Sequence, residues 1–335
     1  MQEITPYKKK SYWYVYLVLI IVVLFLVGAF CIPTFLSSTS GKNFIQNSLS
    51  KKLSGSVEIE NIEFSWFDSQ KITGLDYESH DRSISFSFEE LTIEESLFSL
   101  LTGSRSKALT NLKEPVLKVD LSSRLLNETR NDRTSYLAIL LQNIHIEDGY
   151  LYVIGKEKQN VQYTNLFLDI LIHDKKNYTF YTRSKTQYND TTGNFEFKGK
   201  LETKKNLIPL FKKKEYKKIL SLIDYEIQLF AKNLPTLGLD EFFTFKEAEA
   251  GGLFKELFGP LLNVQGNSII KNDTFHLDIN LQSQNLNLST QTKQVPGFIT
   301  LSKPSSISLT LTPQIFSKLS YLTGFGEYLK LTKAG

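Results

Sequence analysis

Between Tyr12 and Ile32 the chain runs for 21 residues without a charged side chain. As a helix rising about 1.5 Å per residue, that run is roughly 32 Å long and matches a hydrocarbon core of roughly 30 Å. Lys8, Lys9 and Lys10 precede it directly, and no charge follows until Lys42. Cationic flanks stay in the cytoplasm, so the sequence predicts residues 1–11 inside, a single-pass anchor over 12–32 and export of everything beyond. Tyr12, Trp13, Tyr14 and Tyr16 supply an interfacial aromatic belt. A cleaved leader would carry a shorter apolar region of about 7–15 residues and small residues at the cut site. Cys31-Ile32-Pro33 offers no such site, and Phe30 stands where a lipid-modified cysteine needs a small neighbour.

Beyond the anchor the period changes to two. Val57 and Ile59 alternate with Glu58 and Glu60, then Ile62, Phe64 and Trp66 continue in the opposite parity, as across a turn or bulge near Asn61. Ile84, Phe86 and Phe88 alternate with serines, Leu117 and Val119 with Lys118 and Asp120, and Leu277, Ile279 and Leu281 with polar residues. Asp148-Gly149 between two alternating runs predicts a hairpin turn. In 163–173, apolar residues on both parities predict a strand covered on both sides. Helices are expected over 40–53 (Ser40 as cap, Gly55 as stop), 96–101, 206–222, 237–262 in two pieces, and 314–322. Residues 122–135 read as a linker between a β segment over 40–121 and a second over 136–335.

Strands apolar on one face and polar on the other describe antiparallel sheet with one wet side. Either two sheets pack together or one long curved sheet folds around something apolar. The expected class is mainly β with some α: a transmembrane helix, then a curved antiparallel sheet with a few short covering helices.

The exported part, from Ser37 onward, carries 36 basic and 34 acidic residues, too even a balance for a nucleic-acid partner. Cys31 is the only cysteine, so no intramolecular disulfide forms. His80, His145, His173 and His276 lack metal-ligand spacing; His145 and His276 belong to the polar faces of strands. No nucleophile elbow, phosphate-binding loop or dinucleotide fingerprint occurs, so neither enzyme activity nor a cofactor is expected. Lys212, Lys213, Lys214, Lys217 and Lys218 form one dense charge run. It reads as contacts to anionic lipid headgroups or as the wet face of the 206–222 helix.

Several segments together resemble a known family. The helix Phe44–Gly55 ends at a glycine and is followed by Val57-Glu58-Ile59, Ser65-Trp66 and Gly74-Leu75. Later come Glu114-Pro115-Val116-Leu117 and Ile144-His145-Ile146-Glu147-Asp148-Gly149. In this order after an anchor, over residues 12–170, they resemble the AsmA-like proteins of the Gram-negative envelope, relatives of TamB and of bridge-like lipid-transfer proteins. The resemblance implies a taco-shaped β groove in the periplasm, anchored in the inner membrane and carrying phospholipid in support of outer-membrane assembly. Its lining candidates are Phe86, Phe88, Leu166, Leu168, Phe195, Phe197, Leu277, Ile279 and Leu281, which would equally serve as sandwich core. An envelope scaffold binding protein partners is the alternative.

Overall fold

In the computed structural model, the described residues are 30–102, 108–121, 143–155, 160–174, 176–204, 222–236, 253–272, 274–295, 298–310 and 312–317. The predicted anchor, the 122–135 linker, the 206–222 helix and its lysine run therefore lie outside them, apart from 30–32 and Leu222. No helix among the described residues is long and apolar enough to cross a membrane.

Residues 30–36 are helical, and α1 (Thr39–Leu53) follows. Its cap is Ser38 rather than Ser40: the Ser38 hydroxyl accepts from Gly41 N at 3.3 Å. Ser54, in the left-handed conformation (φ 53°), ends the helix, and Gly55 already belongs to the sheet. The first strands are β1 (Gly55–Glu63), β2 (Gln70–Ser79) and β3 (Ile84–Ile93). After α2 (Leu97–Thr102) come β4 (Leu109–Lys113), β5 (Val116–Asp120), β6 (Asn143–Ile154), β7 (Asn160–Ile172), β8 (Asn177–Tyr188), β9 (Thr191–Thr203) and β10 (Ile223–Pro235). Then α3 (Leu253–Phe258) precedes β11 (Leu261–Lys271), β12 (Thr274–Ser283), β13 (Leu286–Val295), β14 (Phe298–Leu301) and β15 (Ser306–Leu309). Of the predicted 237–262 helices, the described part is helical only in α3, because Leu261 and Leu262 pair with Pro235 and Leu234 as strand.

The fifteen strands of the described residues form one curved sheet, in the order β1-β2-β3-β4-β6-β7-β8-β9-β10-β11-β12-β13-β14, with β5 beside β3 and β6 and β15 beside β13. Contrary to the antiparallel expectation the sheet is mixed, since β4 and β5 both run parallel to β6. A parallel return needs a crossover of a dozen or more residues, and 21 residues separate Leu121 from Asn143.

The Asp148-Gly149 hairpin is also corrected, because β6 passes straight through that pair. Asp148 (φ 51°) forms an irregularity matched by its neighbours: Gly74 on β2, Glu114 between β4 and β5, and Asn165 on β7 all take positive φ. Glu114 N donates to Glu147 O at 3.0 Å and Tyr150 N to Pro115 O at 2.7 Å, so the ladder continues around the break. These positions lie on one transverse line. At that line the apolar parity switches, from 59 to 62, 88 to 91, 146 to 151 and 163 to 166. Such bulges bend a sheet and increase its twist.

The β1 edge is shielded by α1, which turns its polar side chains onto the free backbone. Ser50 Oγ accepts from Val57 N (3.1 Å), Gln46 donates to Val57 O (3.3 Å), Lys42 donates to Glu60 O (3.1 Å), and Ser37 Oγ accepts from Phe64 N (2.8 Å). Occupied edge groups cannot template another strand. Beneath them Ile45 and Leu49 pack on the buried Val57, Ile59 and Ile62.

At the β2–β3 turn the Asp81 carboxylate accepts from the Ser79 hydroxyl (2.7 Å) and from the Ser83 N–H (3.0 Å) and hydroxyl (2.8 Å). These bonds, the Ser79 one first, hold its pKa down to about 2. A carboxylate with a lowered folded-state pKa stabilises the fold above its unfolded value, and the contribution disappears as pH falls through the folded one. Wild type is therefore expected to lose its advantage over Asp81→Ala between the ordinary aspartate range and about pH 2. Denaturation midpoints across that window measure it; a constant difference would refute the assignment.

Candidate functional site

Strand register sorts the side chains into two transverse rows one residue apart. The first runs through Ile62, Ile72, Leu91, Leu112, Ile146 and Leu168, each directly opposite the next. It continues through Thr182, Phe197, Leu229, Gly266, Ile279 and Thr290. The neighbouring row is Glu63, Lys71, Thr92, Asn111, His145 and Asp169, then Tyr181, Lys198, Gln228, Asn267, Asp278 and Gln291. Directly paired residues share a face and consecutive residues point to opposite faces. The sheet thus has one apolar and one polar side across twelve strands.

The regular strand β8 establishes that the parity switch preserves this division. Leu168 and Ile170, before the break in β7, pair with Thr182 and Phe180; Tyr163 and Val161, beyond it, pair with Thr186 and Tyr188. All four partners are even-numbered on one uninterrupted strand, so both halves of β7 present their apolar residues to one face.

The sheet that carries this face is curved. Leu261 packs against the cluster of Leu121, Val153, Val161 and Tyr188. The nearest strand of that cluster is β8, three strand spacings from β11, or roughly 14 Å in a flat sheet. Contact across that span requires the sheet to curve there. Burial also raises the Tyr163 phenol above its ordinary pKa there.

The lining candidates are all on this side. Phe86 and Phe88 sit 5.7 Å apart (ring centroids) on β3. Leu166 and Leu168 follow the break on β7. Phe195 and Phe197 stack at 6.5 Å on β9, and Phe180, which the sequence reading missed, stacks on Phe197 at 5.0 Å. Phe180 fits because its partner across the ladder is Gly199: a Cβ there would be 2.4 Å from the ring. Leu277, Ile279 and Leu281 line β12. Phe195, Ile279, Leu281 and the α3 residue Phe258 pack on the buried Ala231, Leu262 and Val264, while Phe197, Leu168 and Leu277 remain half-buried. On β8 the surface is broken by Thr182, Ser184 and Thr186. Lys212, Lys213, Lys214, Lys217 and Lys218 lie outside the described residues.

The polar face holds a cluster that the sequence showed only in part. His145 Nδ1 is 2.5 Å from Asp169 Oδ1, its ring meets Phe167 edge-on at 5.2 Å, and the Arg183 guanidinium lies 5.3 Å from the Phe167 centroid. These partners are 22 to 38 residues from His145 in sequence, with no local signal. They also explain β7: Phe167 is covered by side chains of its own face and Leu171 is exposed, so the strand is not covered on both sides as expected. Two half-open depressions, of about 580 and 410 Å³, also lie on the polar face, lined by groups such as Lys198, Gln228 and Asp278, and Glu147, Arg183 and Asn194. Both open among polar-face groups, although the first also touches Leu229 and Gly266 of the apolar row and the second Phe195. Among the described residues no group of three or more His, Cys, Asp or Glu is placed to hold a metal ion.

No protein-family model matches the chain, and a search of characterised proteins finds no match either.

Proposed function

We propose that the protein is a membrane-anchored carrier of the AsmA-like kind, whose curved sheet forms a taco-like trough that binds or transfers phospholipid. In this reading the 12–32 run anchors it in the bacterial inner membrane, and the bulk of the chain works in the periplasm in support of outer-membrane assembly. It performs no chemistry and needs no cofactor.

One observation carries the reading: the row from Ile62 to Ile279, apolar except at Thr182 and Gly266, set one residue from a largely polar row on a single curved sheet. Leaving an acyl chain in water costs about 0.8 kcal/mol per methylene. A carrier must therefore offer a long apolar surface while its outer face and backbone stay satisfied, and a single sheet of alternating strands meets both demands. Purification of the full chain in mild detergent, followed by mass spectrometry, is expected to recover bound phospholipid. Recovery of none, where a known carrier keeps its cargo, would reject lipid carriage and leave an anchored scaffold that binds protein partners.

A further inference from the structure

At the end of the sheet where β1 stops and β2 begins, large apolar side chains stand exposed: Phe30 (62%), Phe35 (53%), Phe67 (75%), Phe98 (59%) and Leu100 (38%). They come from three segments, the helical residues 30–36, the turn 64–69 and α2. Exposed apolar groups gathered at one place on a protein mark an interaction surface.

Their presentation is fixed by a buried clamp. Gln70, 2% exposed, accepts from Ser65 N at 2.9 Å and donates to Ser65 O (2.9 Å) and Glu95 O (3.0 Å), joining the turn to the start of α2. Leu97 N donates to Ser65 O at 3.1 Å, and Ser65 Oγ accepts from Phe67 N at 3.3 Å and Asp68 N at 3.1 Å. The Ser37 bond to Phe64 N, 2.8 Å long, brings the end of the 30–36 helix to the same place. The first described residues of that helix, 30–32, are the last three of the run read as the anchor.

We infer that the turn and α2 make a second contact with the phospholipid bilayer that holds the anchor, with Phe67, Phe98 and Leu100 inserted at its interface. The inference rests on the anchor reading of 12–32. Apolar groups at a bilayer surface leave water without the chain having to cross. The contact prevents the sheet from swinging on its tether and keeps the strand ends beside β1 against the lipid. Among the described residues the exposed charged groups flanking the rim, Asp68 and Glu94, are acidic, so the contact is an apolar one. High salt should leave it intact, unlike a contact made to anionic headgroups.

The lone cysteine makes the test direct. The full chain is reconstituted into vesicles of phosphatidylcholine and phosphatidylethanolamine containing a lipid with an acyl-chain quencher. A fluorophore is placed on native Cys31 or, in a Cys31→Ser background, on Phe67→Cys, Phe98→Cys or Asp190→Cys; Asp190 occupies the β8–β9 turn at the opposite strand ends. The expected result is loss of emission at 67 and 98 as large as at 31, unchanged in high salt, with none at 190. Loss at 31 without loss at 67 and 98 overturns the second contact while the anchor stands. Loss nowhere overturns anchor and contact together. Loss at all four sites, or loss at 67 and 98 that salt abolishes, overturns a selective apolar contact. Lipid recovered with the chain by mass spectrometry reports on the trough independently of each outcome.

Discussion

Gly193→Ala is expected to destabilise the protein by about 3 kcal/mol and lower its melting midpoint by roughly 5–10 °C. A Cβ at Gly193 would lie 2.4 Å from Lys232 O and 2.5 Å from Asn233 O, both backbone atoms that cannot rotate away. Those carbonyls belong to the β10 irregularity, where Asn233 (φ 51°) donates from its N–H to Asn263 Oδ1 (2.7 Å) and from its side chain to Thr192 O (3.1 Å). The bulge is tied to strands on both sides, so a methyl group must push β9 from β10 or break these bonds. Gly266→Ala is the matched control. It sits between Leu229 and Ile279 in the apolar row, and its Cβ would meet nothing closer than 3.7 Å. That variant should keep wild-type stability to about 0.5 kcal/mol. Equal melting curves for the two would show that the close approach at Gly193 has no energetic weight.

The second large effect concerns cargo. Phe197→Glu should reduce co-purifying phospholipid about thirtyfold, because about 2 kcal/mol of apolar contact is lost and a carboxylate faces the acyl chain. Phe197 suits the purpose because it is half-buried and stands outside the buried clusters, whereas Ile279 packs on Ala231, Leu262 and Val264 and would confound binding with folding. Lys198→Glu places the same charge one residue along on the polar face. There it removes only an exposed ion pair with Glu196 at 3.5 Å, and lipid should be retained. Retention by both variants, or equal loss from both, would mean that the apolar face is not where lipid binds.

Most of the strands and their two-sidedness were legible in the chain itself, for a local reason. Consecutive side chains on a strand point to opposite faces whatever the partner, so Phe86, Phe88, Leu277 and Ile279 declare an apolar side before any pairing is known. The parity change near Asn61 was legible too, but only as an isolated irregularity. Pairing aligned it with those of β3, β6 and β7 and made it a crease across the sheet.

Asp148-Gly149 failed as a turn signal because the dipeptide specifies positive φ, which a bulge needs as much as a hairpin does. The Glu114-Pro115 break beside it decided between them, and that contact requires a parallel crossover no short motif encodes. His145 and Asp169 met through register alone. The sequence by itself determined a chain of one-sided strands behind an uncharged run, since periodicity and charge are properties of neighbours. Only the tertiary structure decided that those strands make one curved, mixed sheet with its apolar residues aligned in rows across it, because register and curvature depend on residues far apart in the chain.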